Sequence, residues 1–71
     1  MNRTELEQTF DPRTFSPVVI TTVDGFAIPV VEPHKVLIGL GMIVVSGPAY
    51  KLYQIPFRSI AHISEAGEHL G

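Results

Sequence analysis

Apolar and polar positions follow one rule up to Ser16 and another after it. In residues 1–16 the apolar side chains are sparse. Leu6 and Phe10 stand four apart with polar and charged residues between them, so in a helix they share one face. Thr4 followed three residues later by Glu7 is a capping-box pattern and predicts a short helix over residues 5–10. Asp11-Pro12 ends it, because the residue before a proline is pushed out of the helical region. The Leu6/Phe10 face is expected to cover one open end of the domain.

From Pro17 the texture is that of strands. Residues 17–23, PVVITTV, are rich in β-branched side chains that suit a pleated surface. Asp24-Gly25 follows, a strong hairpin signal, since a type I′ turn needs positive φ at both central positions. Residues 26–31, FAIPVV, form the return strand, with Phe26, Ile28 and Val30 on one face and Pro29 on the other. A proline donates nothing to a ladder, so this strand is an edge or bends there. Glu32-Pro33-His34 is a turn. Within residues 36–46, Gly39 and Gly41 mark a bend between a short turn or strand at 36–38 and a firm strand at 42–46. Gly47-Pro48-Ala49 is the next turn and YKLYQI, residues 50–55, the next strand. A single turn of 3-10 kind at Pro56-Phe57-Arg58-Ser59 leads to a last strand over residues 60–64, and residues 65–71 form a flexible tail. The expectation is a mainly β single domain over residues 1–71. It consists of a short N-terminal helix and, over residues 17–64, a small five-stranded SH3-like barrel or a strongly curved antiparallel sheet.

These strands are apolar on both faces. Leu52 and Gln54 face one way with Tyr50, while Lys51, Tyr53 and Ile55 face the other. A small barrel standing alone has one buried face and one wet face and should alternate cleanly. Residues 17–64 carry only Asp24, Glu32, Lys35, Lys51 and Arg58 as charges, too few to cover an outside. Burial of the second face in a symmetric contact resolves this and enlarges a core that a 71-residue chain can barely supply alone. The expected contact is strand-edge pairing, with Tyr50, Leu52, Tyr53, Ile55, Ile60 and Ile63 as candidate interface residues.

Composition narrows the chemistry. Seven acidic against five basic residues leave a net charge of -2, which excludes the basic balance of a typical DNA-binding domain. Zero cysteines remove disulfides and thiolate-held metals and fit a cytoplasmic protein. The longest apolar run, residues 36–45, is interrupted by two glycines and falls short of the roughly 20 residues of a membrane span. No signal peptide is expected from the N-terminus. Phosphate-cradling and nucleophile-elbow motifs are absent. Glu32, His34 and His62 would have to converge to hold a metal, and His69 sits in the tail. Ser59 and His62 are three apart across a turn and need not face each other, so a nucleophile and base are not specified. The expectation is no enzyme activity, no cofactor and no metal. Lys51 and Arg58, beside Tyr50, Tyr53 and Phe57, are the only features that suit single-stranded nucleic acid, where aromatic rings stack bases.

The order of parts resembles the small SH3-like barrels of the Sm-like type, which includes bacterial Hfq. It also resembles small uncharacterised bacterial proteins with a PF…DG…IP…I..I skeleton. That skeleton is carried here by Ser16-Pro17, Asp24-Gly25, Ile55-Pro56, Ile60 and Ile63. The resemblance spans residues 5–64 and implies ring-forming or pairwise strand addition between subunits. Sm proteins read uridine-rich RNA with an asparagine after the first hairpin turn, but the only asparagine here is Asn2. The lysine-histidine pair of an Hfq-type pocket is replaced by Phe57-Arg58-Ser59, so an RNA site would rest on Lys51, Phe57 and Arg58. Three functions therefore stand as expectations. The first is a non-enzymatic homo-oligomeric β module whose partner is itself or another protein. The second is an Sm-like RNA-binding ring. The third is a phage or mobile-element accessory protein that binds a host protein.

Overall fold

Asn2 opens the structure, a computed structural model that describes residues 2–66. Its side-chain oxygen accepts from the Glu5 backbone N–H at 2.9 Å, and the Asn2 N–H donates to the Glu5 carboxylate at 3.4 Å. This capping box starts α1 (Arg3–Thr9) two residues earlier than expected. The sequence holds two overlapping boxes, Asn2/Glu5 and Thr4/Glu7, and the first one satisfies the orphan N–H groups. Leu6 and Phe10 do share the buried face, against β3. Past the helix, Asp11 accepts from the Arg13 backbone N–H at 2.9 Å and from its guanidinium at 3.1 and 2.8 Å. This folds the chain back so that Phe15 stacks on Phe10 with ring centroids 5.9 Å apart.

Six strands follow: β1 (Val18–Thr22), β2 (Ala27–Val30), β3 (Val36–Ile38), β4 (Met42–Ser46), β5 (Leu52–Pro56) and β6 (Ile60–Glu65). All pairings are antiparallel. They make two three-stranded sheets, β2-β1-β6 and β3-β4-β5. The expected five-stranded closed barrel is therefore corrected, because β2 and β5 end their sheets unpaired with each other. Proline supplies the reason. Pro29 on β2 and Pro56 on β5 cannot donate to a ladder, and Pro33 opens a 3-10 turn (Pro33–Lys35) that separates β2 from β3. Glu65, expected in a tail, is the last residue of β6, and the Ala66 N–H donates to the Pro17 carbonyl at 2.9 Å; residues 67–71 of that expected tail lie outside the described residues.

The Asp24-Gly25 hairpin forms, but not through a type I′ turn. The Thr22 N–H donates to the Phe26 carbonyl at 2.9 Å, and the Gly25 N–H to the Thr22 carbonyl at 3.0 Å. Gly25 has φ 91° and Asp24 has no positive φ. This is a three-residue loop with one left-handed glycine, which asks for positive φ at one position instead of two. Phe26, next to this loop, stays 68% exposed, while Ile28 and Val30 further along the strand are buried. At the same end of β1, a bulge opposite Thr21 and Thr22 takes up an extra residue in β6. Ile60 and Ile63, three apart, can then both turn inward, which unbroken alternation forbids.

The core lies between the two sheets. Val18, Ile20, Ile28, Val30 and Ile60 come from one, Val36, Ile43, Val45 and Ile55 from the other, and Leu6 and Phe10 cover an end. Thr22 is the one buried polar side chain among the described residues, and its Oγ1 accepts from the Phe26 N–H at 3.1 Å.

Candidate functional site

Strand alternation sends Leu37 of β3, Met42, Val44 and Ser46 of β4, and Leu52, Gln54 and Pro56 of β5 to the outer face of the second sheet. The register joins them as neighbours: Leu37 opposite Val44, Val44 opposite Gln54, Met42 opposite Pro56, and Ser46 opposite Leu52. None of these seven is charged. Leu37 is 70% and Leu52 62% exposed, and Leu40 at the tip of the β3–β4 hairpin is 88% exposed. The outer face of the first sheet is different: Val19, Thr21, Ala27, Pro29, His62 and Ser64, all small or polar except Val19.

The expected interface residues fall into three groups. Tyr50 and Leu52 are on the surface, with Tyr50 fully exposed. Tyr53 and Ile63 are half-buried against the core. Ile55 and Ile60 lie in the core, so a second chain does not reach their side chains. Tyr50 also lies outside β5, in the turn Pro48–Tyr50 that precedes it. Both Ala49 (φ 59°, ψ 35°) and Tyr50 (φ 60°) are left-handed there, and the Gly47 N–H closes the loop on the Lys51 carbonyl at 2.7 Å. Gly47 is required by a close approach, since a Cβ on it would stand 2.7 Å from the Tyr53 ring.

A groove of about 510 Å³ separates the unpaired edges of β2 and β5. Phe26, Ile28, Leu52, Tyr53 and Pro56 give it apolar walls. Thr22, Asp24 and Ser59 stand at one end, where the Val23 N–H donates to the Ser59 carbonyl, and Lys51 stands at the other. The Lys51 ammonium lies 5.5 Å from the centroid of the Tyr53 ring.

The residues of the nucleic-acid reading do not converge within one chain. Lys51 precedes β5 and Arg58 follows it, so a strand of roughly 16 Å lies between them. Phe57, between them in sequence, packs against the core in the 3-10 turn Phe57–Ser59. Arg3 and Arg13 are engaged with Glu7 and Asp11. Of the metal-type residues, His34 meets Glu32 at 3.0 Å, but His62 sits on β6 of the other sheet. Among the described residues no three such side chains gather. Ser59 lines the groove while His62 sits opposite Thr21, on the outer face of its sheet. His69 lies outside the described residues. No described helix is long and apolar enough to cross a membrane. The groove and the strained Ala49-Tyr50 turn were not legible in sequence, although Pro29 and Pro56 were a signal for the unpaired edges that bound the groove. Searches against family models, curated proteins and solved structures find no match to this chain.

Proposed function

We propose that this chain is a non-enzymatic, self-associating β module whose outer β3-β4-β5 face is covered by a second copy. The observation that carries this reading is the uncharged row Leu37, Met42, Val44 and Leu52 across three paired strands. Exposed contiguous apolar surface marks an interaction site. A two-fold contact presents the same patch on both copies, so one face completes both molecules. Two such sheets stack about 10 Å apart with their side chains interdigitated. The order β6-β1-β2 beside β3-β4-β5, with a 3-10 turn before β6, supports the SH3-like relationship if β2 and β3 are the two halves of one interrupted strand. The β6 edge carries no proline and gives a further place for strand addition.

Light scattering coupled to size exclusion tests this. Wild type is expected at a multiple of 7.8 kDa, and Leu37→Lys/Met42→Lys at 7.8 kDa with its circular dichroism unchanged. A wild-type monomer, or a double variant of unchanged mass, rejects the face. The RNA-ring reading needs Lys51 of one subunit beside Arg58 of the next. Saturable binding of a uridine-rich oligonucleotide that weakens steeply with salt is what it requires.

A further inference from the structure

We propose that the groove between β2 and β5 binds an extended segment of a partner protein, basic at its N-terminal end and acidic at its C-terminal end. Two observations carry this: the backbone groups that face the groove, and the charges at its ends.

The backbone argument starts from two ladder bonds. Gly47 donates to the Lys51 carbonyl and Phe57 donates to the Gly41 carbonyl, so residues 51, 53, 55 and 57 bond toward β4. Antiparallel ladders alternate, and Leu52 and Gln54 therefore direct their N–H and C=O groups away from β4, along the free edge. Thr22 donates to the Phe26 carbonyl, so Phe26, Ile28 and Val30 bond toward β1, and Ala27 directs its N–H and C=O away from it. Both walls of the groove thus offer strand-pairing groups beside apolar side chains. Pro29 and Pro56 limit pairing to the stretch between them. An extended peptide that adds to an exposed edge uses this combination, with backbone bonds for affinity and side-chain hollows for specificity.

The charges give length and direction. Lys51 and Asp24 mark opposite ends of the groove, and neither forms an ion pair among the described residues. The span of β5 between them is on the order of 16 Å, which about five extended residues cover and a compact small molecule does not. All pairings in the β3-β4-β5 sheet are antiparallel. A fourth strand continuing that pattern on β5 runs from the Asp24 end to the Lys51 end. Its first residue then meets Asp24 and its last meets Lys51.

The test uses the full chain and two fluorescein-labelled peptides, Arg-Val-Thr-Val-Thr-Val-Glu and its charge-exchanged twin Glu-Val-Thr-Val-Thr-Val-Arg, read by anisotropy. The first is expected to bind saturably and the twin at least about tenfold more weakly, a difference of about 1.4 kcal/mol. Asp24→Lys/Lys51→Glu is expected to reverse that preference. Gln54→Pro removes one edge N–H, at a position where an edge tolerates proline, and is expected to abolish binding with circular dichroism unchanged. The charge exchange, at exposed positions, carries the test if Gln54→Pro unfolds. Leu37→Lys/Met42→Lys, which alters the part of the self-association face that does not line the groove, is expected to bind the peptide as wild type does. The proposal is overturned if neither peptide binds at on the order of 1 mM. It is also overturned if the charge exchange leaves the preference unchanged, if a folded Gln54→Pro binds normally, or if peptide addition dissociates the assembly, which would make a second copy the occupant.

Discussion

Two adjacent residues, Ala49 and Tyr50, hold left-handed backbone without being glycine. For an L-residue that conformation costs about 1–2 kcal/mol, and neither ring nor methyl recovers it by burial, since both residues are exposed. The strain sits in the three-residue loop closed by the Gly47 N–H and the Lys51 carbonyl, where two successive residues take the positive φ of a primed turn. Ala49→Asn/Tyr50→Gly places the preferred Asn-Gly pair there and is expected to raise stability by about 1–2 kcal/mol, read from the urea midpoint at unchanged slope. The other residue-scale effect is electrostatic. Arg13 holds the Asp11 carboxyl at about 2, chiefly through side-chain hydrogen bonds and then through its backbone N–H. A depressed folded pKa stabilises above the unfolded value of 3.8 and is lost as pH falls from there through about 2. Asp11→Asn is expected to flatten the stability profile in that window and leave the shape above it unchanged, by denaturation at stepped pH.

At the scale of elements, α1 shows how a helix too short to stand alone is held. Seven residues are far below the roughly 12–15 at which an isolated helix becomes marginal. Its tertiary anchor is Leu6, fully buried, and its local anchor is the Asn2 capping box. Asn2→Ala is expected to cost about 0.5–2 kcal/mol and to raise amide exchange in α1 without altering exchange in β1 and β6. Equal acceleration in every strand would place α1 inside the global unfolding unit. The hairpins were largely legible beforehand. β3, the bend at 39–41, β4 and the 3-10 turn before β6 fall where glycine and proline put them. The displaced pieces were those with two local solutions of similar merit: the rival capping boxes at the N-terminus, and the start of β5, where the turn extends through Tyr50.

For the whole molecule the question is how the eleven buried apolar side chains among the described residues hold the fold together. A core of this size is marginal, and the self-association proposed above, through Leu37, Met42, Val44 and Leu52, would add burial that the single chain lacks. If so, stability depends on concentration. The thermal midpoint of wild type is expected to rise with protein concentration, while that of Leu37→Lys/Met42→Lys stays flat; a flat wild-type midpoint rejects the coupling. The exposed apolar face was legible in the sequence only in part. Counting charges shows how few there are to cover the outside, but Ile55 and Ile60, which are buried, look on paper like the exposed Leu52.

Local sequence determined the strands, the turns and the scarcity of charge, because β-branching, glycine and proline act within a few residues of themselves. It restricted β2 to an edge or a bend at Pro29, because that residue lacks a donor wherever the strand ends up, and β2 ends its sheet. Tertiary structure decided which apolar face turned inward. A bulge in β6 put Ile60 and Ile63 on the same side, and Phe26 stayed exposed where Ile28 and Val30 were buried. It also decided that two sheets face each other across an open groove instead of closing, since pairing β2 with β5 depends on donors contributed by residues far apart in the chain.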